Sequence, residues 1–270
     1  MAKRKDGPLR AYENSDFMHS TDARALRILS EYLEPNSRFR HYQIEDTIIF
    51  FGSARIHSPE QAEAELKKAR SGGGDVEGAE AILSLTPYYE ATRELARRLT
   101  EWSKALEGTD RRFVVCSGGG PGIMEAANRG ASEAKGINVG LTISLPGEHD
   151  NPHISRELLF EFHYFFMRKF WFTYLAKAVV VMPGGFGTMD ELFELLTLIQ
   201  TRKVRKRLPI VLFGGAYWDE VVNFEALARH RVIDPEDLDL LFRTDSLDEA
   251  YDYITDQLET YSLGSPGAIL

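Results

Sequence analysis

Short apolar runs recur along the chain between longer segments in which charged and apolar residues mix. The clearest runs are Thr47–Phe51, Ala178–Met182 and Leu208–Phe213, each apolar at nearly every position. A continuous apolar run of this length indicates a strand that is covered on both faces, as in a parallel sheet. Comparable runs predict further strands at Phe113–Cys116, Asn138–Ile143, Glu157–Phe162 and Leu241–Thr244.

The segments between these runs have the composition of amphipathic helices. Strands that alternate with helices predict βαβ units with right-handed crossovers. The expected fold is therefore α/β, a doubly wound, Rossmann-like parallel sheet flanked by helices, which binds ligands at the carboxyl ends of its strands. The predicted helices are Ala23–Leu33, Pro87–Leu106, a helix ending near Lys135, Tyr164–Lys177, Thr188–Thr201, Tyr217–Arg229 and Leu247–Tyr261.

The same pattern predicts one domain with additions. Residues 1–45 carry no strand signal and read as an N-terminal extension with one helix. Residues 46–262 are expected to form a single Rossmann-like domain, within which the polar residues 58–86 are a helical insertion. A glycine-rich stretch, Ser71–Asp75, is expected to break that insertion, and Pro87 to open the following helix. Residues 263–270 are expected to be a flexible tail.

Charge and cysteine content limit the partners. The 270 residues carry a formal net charge of −9, which disfavours general nucleic-acid binding because that needs a basic surface. The basic run Arg202–Arg207 is read as cations on a solvated face that complement a helix C-terminus. The one cysteine, Cys116, lies in an apolar run, which indicates a core position and a reducing compartment. With no apolar stretch long enough to cross a bilayer, we expect a cytoplasmic protein with no membrane partner.

The histidines show no spacing typical of metal ligands, and we expect neither a metal nor a cofactor. His149 and His153 lie in the polar, proline-bearing loop Leu145–Ile154 that follows the third predicted strand. A loop at that edge of the sheet can act as a lid, so these two histidines are either surface residues or ligand contacts.

Three of the predicted strands lead into turns that contain glycine. The first turn begins at Gly52-Ser53, the second spans Ser117–Gly122, and the third is Pro183–Gly187. Glycine lets the backbone approach a ligand closely, and the free N–H groups of helix N-termini suit phosphate. No Gly-Lys-Ser/Thr sequence ends any of these turns, so triphosphate hydrolysis is not expected. The alternative is that the glycines only make tight strand-to-helix turns.

Thr188 and Glu191 stand three residues apart at the start of a predicted helix. This spacing is typical of a capping box, in which the glutamate reaches back to the helix start. The alternative is functional. A carboxylate beside a phosphate site repels the phosphate, so a functional Glu191 must face the sugar of a nucleotide instead.

Arg168 and Lys169 lie within the aromatic segment Tyr164–Phe172. Two cations amid so much apolar surface are costly unless each is paired or contacts an anion. Either they pair structurally with carboxylates and extend to solvent, or Arg168 donates hydrogen bonds to a ligand. The aromatic residues themselves indicate a core or a subunit interface.

Taken together, these motifs resemble those of the LOG (LONELY GUY) family. The segment Pro183–Glu191 resembles its PGGxGTxxE signature, and Arg168-Lys169 its upstream arginine–lysine pair. The resemblance also includes Phe51–Arg55 and Ser117–Ala126, and it covers roughly residues 46–258. Some members of the family carry the label "possible lysine decarboxylase".

The resemblance implies a phosphoribohydrolase that splits a nucleoside 5′-monophosphate, AMP or N6-substituted AMP, into free base and ribose 5-phosphate. It implies that Arg168 and Glu191 are the catalytic pair. It further implies a homodimer or a higher homo-oligomer. The residues implied to bind the nucleotide are Gly52, Ser53, Gly118, Gly119, Met124, Lys169, Gly184, Gly185, Gly187 and Thr188.

The sequence also departs from the family pattern. The family often has Met-His-x-Arg-Lys where this chain has Phe165-Phe166-Met167-Arg168-Lys169. The extension and the insertion resemble the longer bacterial branch, for which AMP nucleosidase is a common label. Two alternatives stay open: a carrier or sensor of a nucleotide or molybdenum cofactor that cleaves nothing, and a pyridoxal-phosphate lysine decarboxylase, for which no positioned lysine stands out.

Overall fold

A computed structural model describes residues 8–106, 111–144 and 151–267. In these ranges seven strands form one sheet in the order β4-β3-β2-β1-β5-β6-β7. Every neighbouring pair is parallel, so the predicted fold class is confirmed. The strands are β1 Thr47–Phe51, β2 Val114–Ser117, β3 Val139–Ile143, β4 Leu159–Phe162, β5 Ala176–Val181, β6 Ile210–Phe213 and β7 Leu241–Thr244.

Helices cover both faces of the sheet. Side chains alternate across β1, so Ile49 and Phe51 join one core while Ile48 and Phe50 join the other. The first core packs against α2, α6, α7, α8 and α9, and the second against α4, α5 and α10. The helices are α1 Ser15–His19, α2 Arg24–His41, α3 Pro59–Gly72, α4 Val76–Ala105, α5 Ile123–Glu133, α6 Phe165–Leu175, α7 Phe186–Gln200, α8 Gly215–Val221, α9 Phe224–Arg229 and α10 Leu247–Tyr261. None of the described helices is both long and apolar enough to span a membrane.

The chain reverses its direction of winding beside β1. It runs outward through β2, β3 and β4, then returns to place β5 on the other side of β1. The loops that follow β1 and β5 therefore diverge toward opposite faces and leave a crevice at the carboxyl edge. This topology puts the loops after Phe51 and Val181 at the position where ligands of such sheets bind.

Two prolines lie inside helices, and both freed carbonyl groups are bonded. Pro87 does not open a helix, as the sequence predicted, but lies within the 30-residue α4. The carbonyl of Leu83, four residues earlier, accepts a hydrogen bond of 2.9 Å from the hydroxyl of Thr86, so a side chain replaces the bond that proline removes. Helix α4 instead begins after Asp75, whose carboxylate accepts from the N–H of Gly78.

Other helices also begin or end at residues that differ from the prediction. The extension helix predicted at Ala23–Leu33 runs to His41, through Pro35. The expected break in the insertion is a tight turn in which Gly73 ends α3 with φ of 70°. The single helix predicted for 217–229 is two helices, because the side chain of Asn223 caps a new start at Phe224.

Candidate functional site

Three loops meet at the carboxyl edge and are joined through their backbones. The N–H of Ser53, after β1, donates to the carbonyl of Pro183, after β5, at 3.0 Å. The carbonyl of Ser53 accepts at 3.0 Å from the N–H of Ile123, which follows the loop after β2. The loops, together with α6 and α7, enclose a cavity of about 380 Å³. A cavity of this size suits a small ligand.

Most of the sequence-predicted site residues line this cavity. They are Gly52, Ser53, Gly118, Met124, Arg168, Gly185, Gly187, Thr188 and Glu191. Three of the predicted residues lie outside the lining: Gly119, Lys169 and Gly184. The two glycines pack behind the wall, and Lys169 contacts the cavity residue Glu191. Five further residues complete the wall and were not singled out from the sequence as binding residues: Phe51, Ala54, Arg55, Phe165 and Phe172.

The glycines of the loop after β5 have two different roles. A Cβ on Gly184 would lie 2.1 Å from the hydroxyl oxygen of Thr188, so this glycine permits close packing. Its carbonyl also accepts a hydrogen bond of 2.8 Å from the hydroxyl of Tyr217. Gly185 and Gly187 have no atom of the described residues within 4 Å of the Cβ position. Their bare backbone is therefore open to a ligand at the start of α7.

Gly119 serves packing instead. Its φ is 73°, and a Cβ there would lie 2.5 Å from the side chain of Thr142. The N–H of Gly119 donates to the hydroxyl of Ser117, which in turn donates to the side chain of Asn128 at 2.6 Å. A buried network of asparagine side chains thus fixes the shape of the loop after β2.

The capping box that the Thr188–Glu191 spacing suggested does not form. Helix α7 begins at Phe186 with Gly185 as its N-cap, and no side chain of a described residue caps it. Thr188 and Glu191 are instead buried in the first two turns, and both line the cavity. The carboxylate of Glu191 is therefore available to a ligand.

Glu191 is a buried carboxylate whose partners lie at the edge of bonding distance. Its Oε1 lies 3.7 Å from Nη2 of Arg168, and its Oε2 lies 3.4 Å from Nζ of Lys169. Oε1 is buried and has no hydrogen-bond partner among the described residues. Burial raises the pKa of Glu191 above its ordinary value, against the opposing effect of Lys169 and Arg168. A buried acceptor left open in this way is costly unless a ligand or water fills it.

Lys169 lies behind the cavity wall and neutralises a group of carboxylates. Its Nζ contacts Asp190 at 2.8 Å and Glu194 at 2.5 Å, in addition to Glu191. Burial acts to lower the pKa of Lys169, but the hydrogen bonds to Asp190 and Glu194 outweigh it, so the pKa is raised. Lys169 therefore remains a cation that holds Glu191 in place.

Arg168 approaches the cavity from the opposite helix. Its guanidinium lies 5.1 Å from the ring centroid of Phe165 and 5.7 Å from that of Phe172. Both aromatic rings line the cavity with it, so the cation is oriented by stacking as well as by charge. Arg168 and Glu191 are neighbours in the wall of the cavity that the glycine loops enclose, with Nη2 and Oε1 3.7 Å apart.

The extension holds the helix that carries Arg168. Both oxygens of the Glu31 carboxylate accept from backbone N–H groups at the start of α6, those of His163 at 2.9 Å and Tyr164 at 3.2 Å. The Glu31 carbonyl, freed by Pro35 four residues later, accepts from the indole N–H of Trp171 at 2.9 Å. Pro35 within the helical segment is a sequence signal that the Glu31 carbonyl needs another donor. The sequence does not show that this donor is Trp171 on α6.

Cys116 and His153 do not line the cavity. Cys116 is buried in the sheet, as expected, and burial raises the pKa of its thiol strongly. His149 lies outside the described residues, while the backbone of His153 bonds to Asn138 and Asn151. No group of three or more potential metal ligands occurs in the part of the chain that the structure describes.

The fold and the cavity define a doubly wound α/β protein with a small-ligand site at its topological switch point. Residues 124–254 match the model of a protein family described as possible lysine decarboxylase. The match spans slightly less than half of the chain, and it includes the segment whose motifs resemble those of the LOG family.

The chain is also similar to a curated protein and to solved structures. The pyrimidine/purine nucleotide 5′-monophosphate nucleosidase of Escherichia coli (strain K12) is 27% identical over 114 residues, which are 38% of this chain and 25% of the relative. The chain therefore matches about a quarter of that relative's length. The X-ray structure of TM1055 has a TM-score of 0.49 and 20% identity, covering 78% of this chain and 99% of that one. The molybdenum cofactor binding protein of Rippkaea orientalis has a TM-score of 0.46 and 16% identity, covering 78% and 96%.

Proposed function

We propose that this protein hydrolyses the N-glycosidic bond of a nucleoside 5′-monophosphate, AMP or an N6-substituted AMP, and releases free base and ribose 5-phosphate. The observation that carries the proposal is the buried oxygen of Glu191 that has no hydrogen-bond partner among the described residues and lies beside Arg168 in a cavity walled by glycine loops. The name of the Escherichia coli relative supports a 5′-monophosphate as the substrate class.

In this proposal the phosphate lies at the start of α7. The open backbone of Gly185 and Gly187 and the hydroxyl of Thr188 would bind its oxygens, with the positive end of the helix dipole behind them. Arg55, which lines the cavity beside Ser53, adds a cation. Binding energy from the phosphate, remote from the reacting bond, would then orient the ribose.

Glu191 would act at the sugar carbon. Breaking the bond between the base nitrogen and C1′ develops positive charge on the ribose, as in glycoside hydrolysis. The carboxylate would stabilise that charge and accept a proton from the water whose oxygen bonds to C1′. The base leaves with the electron pair of the broken bond and takes up a proton. The raised pKa of Glu191 makes it a better base than an exposed glutamate.

Arg168 would orient both Glu191 and the departing base. Its guanidinium is the cation of the cavity that also contacts two aromatic rings, Phe165 and Phe172. These rings offer apolar surface to a purine.

The decarboxylase in the family's description requires a lysine that forms a Schiff base, which needs an uncharged amine. Lys169 contacts the cavity residue Glu191, but three carboxylates keep it protonated. The residues of the cavity therefore do not fit pyridoxal phosphate. We expect an absorbance scan of the purified protein to show no bound pyridoxal phosphate.

The decisive experiment is incubation with AMP, GMP, CMP and isopentenyl-AMP, followed by chromatography of freed base and ribose 5-phosphate. Release of base from at least one nucleotide is expected. Adenosine is the matched control, because it lacks only the phosphate and should be a very poor substrate. Tight binding of AMP without any product would favour the non-enzymatic carrier instead, and equal cleavage of adenosine would contradict the phosphate site.

We further propose that a second copy of the chain covers the mouth of the cavity. Phe186, the first residue of α7, is 92% exposed, and Phe165, Phe166 and Phe193 nearby are exposed as well. An exposed apolar surface of this kind marks an interaction site. A Phe186→Ser variant should shift the sedimentation coefficient from dimer to monomer, whereas Tyr12→Ser, another exposed aromatic, should not.

A further inference from the structure

A basic groove lies at the other end of α7, outside the candidate active site. Between Gln200 and β6 the chain passes through the run Arg202–Arg207, and four of these cations line an open groove of about 660 Å³. They are Arg202, Arg205, Lys206 and Arg207. A groove of this volume accommodates a small molecule.

Among the residues that the structure describes, the cations of the groove have no carboxylate partner within ion-pair distance. No ion pair within 4.0 Å joins any of these four side chains to an acid in the described ranges, although Asp239 also lines the groove. Arg207 donates to the amide oxygen of Gln257. The chain has a net charge of −9, so this group of cations forms a locally positive surface on an acidic protein.

Capping of the preceding helix does not account for these cations. The last carbonyl groups of α7 are bonded by the chain that follows, Leu198 by the N–H groups of Lys203 and Val204 and Ile199 by that of Arg202. The hydroxyl of Thr201 bonds the carbonyl of Thr197. None of these bonds uses an arginine side chain. The sequence predicts that the basic run complements the end of the helix, but its side chains make none of the hydrogen bonds that cap the helix.

Lys206 is the half-buried member of the group. Its Nζ donates to the carbonyls of Thr173 at 2.7 Å and Tyr174 at 3.0 Å, which leaves one of its three hydrogens. Burial and the nearby charge of Lys177 lower the pKa of Lys206 to about 7, although Asp46 opposes them. An anion in the groove would add a counter-charge next to Lys206.

The ligand chemistry follows from the donors. Arginine forks match the oxygens of phosphate groups, and several cations in one groove favour a ligand with more than one phosphate. Tyr253 contributes an aromatic wall, stacked on Phe242 at 4.0 Å between ring centroids. The acidity of the remaining surface disfavours a long nucleic acid.

We propose that the groove lined by Arg202, Arg205, Lys206 and Arg207 is a binding site for a small polyphosphate anion, separate from the nucleotide cavity. The two sites lie at opposite ends of the 15-residue α7, about 20 Å apart at the rise of an α-helix. This inference does not depend on the activity proposed for the cavity.

The test is calorimetric titration of the full chain with sodium tripolyphosphate. The variant Arg202→Gln/Arg205→Gln removes two exposed charges that make no recorded side-chain bond among the described residues. It should weaken binding at least about tenfold. The matched control, Arg229→Gln/Arg231→Gln, removes the same charge from another exposed segment and should bind as the wild type does.

The nucleotide cavity is controlled for separately. Thr188→Val alters the proposed phosphate loop and should leave tripolyphosphate binding unchanged. Absence of binding to the wild type, or equal affinity of the two double variants, would overturn the proposal. So would loss of binding in Thr188→Val alone, because the anion would then lie at the carboxyl edge. Unchanged thermal unfolding of each variant establishes that the comparison is between folded proteins.

Discussion

Each of the two edges of the sheet buries a carboxylate between two cations. Only at one edge do both carboxylate oxygens accept hydrogen bonds from the described residues. At the amino edge Asp46 pairs with Arg112 and lies 3.5 Å from Lys177, and it also accepts from the N–H of Gly267 at 3.1 Å. At the carboxyl edge Glu191 lies beside Arg168 and Lys169, but its Oε1 has no hydrogen-bond partner among the described residues. Burial raises the pKa of both carboxyl groups, so hydrogen bonding rather than pKa separates them.

The two carboxylates differ in how completely the surrounding polar groups are hydrogen-bonded. Around Asp46 the cations also bind backbone carbonyls, Arg112 those of Ser262 and Leu263 and Lys177 that of Ser265. The described part of the C-terminal tail is thereby fastened to the domain. None of the buried side-chain nitrogen or oxygen atoms of Asp46, Arg112 and Lys177 lacks a hydrogen-bond partner among the described residues, as stability requires. Around Glu191 one acceptor is left open toward a cavity, and stability is sacrificed where a ligand can supply the missing bond.

Removal of the charge at the carboxyl edge should have the largest effect. Glu191→Gln keeps the shape of the side chain but cannot accept a proton from water, so release of base from AMP should fall by about 10²- to 10⁴-fold. Chromatography of the products measures the rate, and calorimetry should show that AMP still binds. The matched control is Asp190→Asn, which changes the neighbouring carboxylate, also paired with Lys169 but outside the cavity lining. If Glu191→Gln turns over AMP at the wild-type rate, the proposed role of the carboxylate is wrong.

Removal of the carboxylate at the amino edge should affect stability instead. Asp46→Ala leaves Arg112 and Lys177 buried without their acid, which costs about 3–5 kcal/mol of unfolding free energy. Urea denaturation measures this loss. The activity of the folded fraction should be unchanged, because the site lies at the opposite edge. A loss of turnover per folded molecule would show that the two edges are coupled.

The support of α6 by the extension should have a smaller effect. Glu31→Ala removes both acceptors for the N–H groups of His163 and Tyr164, and loss of a helix cap costs about 1 kcal/mol. Because Arg168 lies one turn further along α6, we expect the kcat for AMP to fall several-fold. Glu31→Gln keeps one acceptor oxygen and should restore part of the rate. Glu34→Ala, which removes an exposed carboxylate on the same helix, is the control. Equal kinetics for the alanine variants at positions 31 and 34 would reduce the extension to a structural addition.

The sequence predicted the sheet well because apolar runs report directly on burial. Each run predicted as a strand is a strand within a few residues, and the glycine turns marked the edge where the cavity lies. The prediction at Pro87 was wrong because a helix usually begins or ends at proline. Here the hydroxyl of Thr86 bonds the carbonyl that Pro87 leaves free, so the helix continues. Thr188 and Glu191 fitted a capping box equally well, and only the position of Gly185 as the N-cap decided between the two interpretations.

The cavity residues that the sequence did not reveal share a physical cause. Phe165 and Phe172 read as core because aromatic residues usually are, and no spacing rule separates a core ring from a ring that faces a ligand. Glu31 lies more than 130 residues from the N–H groups it binds, so no local pattern links it to Arg168. Long-range pairing of this kind depends on topology, which the sequence supports only through the order of its elements.

The smallest effect tests the comparison most directly. A group whose pKa is raised by folding adds stability that is complete below its unfolded pKa and is lost as the pH rises through its folded pKa. For Glu191 that loss begins above the ordinary value of 4.5, so at pH 8 the ionised carboxylate reduces the unfolding free energy. Glu191→Gln cannot ionise, and Lys169 keeps Asp190 and Glu194 as partners. Its unfolding free energy should exceed that of the wild type at pH 8, by about 1 kcal/mol or less, and approach it at pH 4. Urea midpoints at both pH values measure the difference. If the variant is instead less stable at pH 8, as Asp46→Ala is expected to be, Glu191 is held by its cations as firmly as Asp46, and the open acceptor no longer distinguishes a working site from a structural ion cluster.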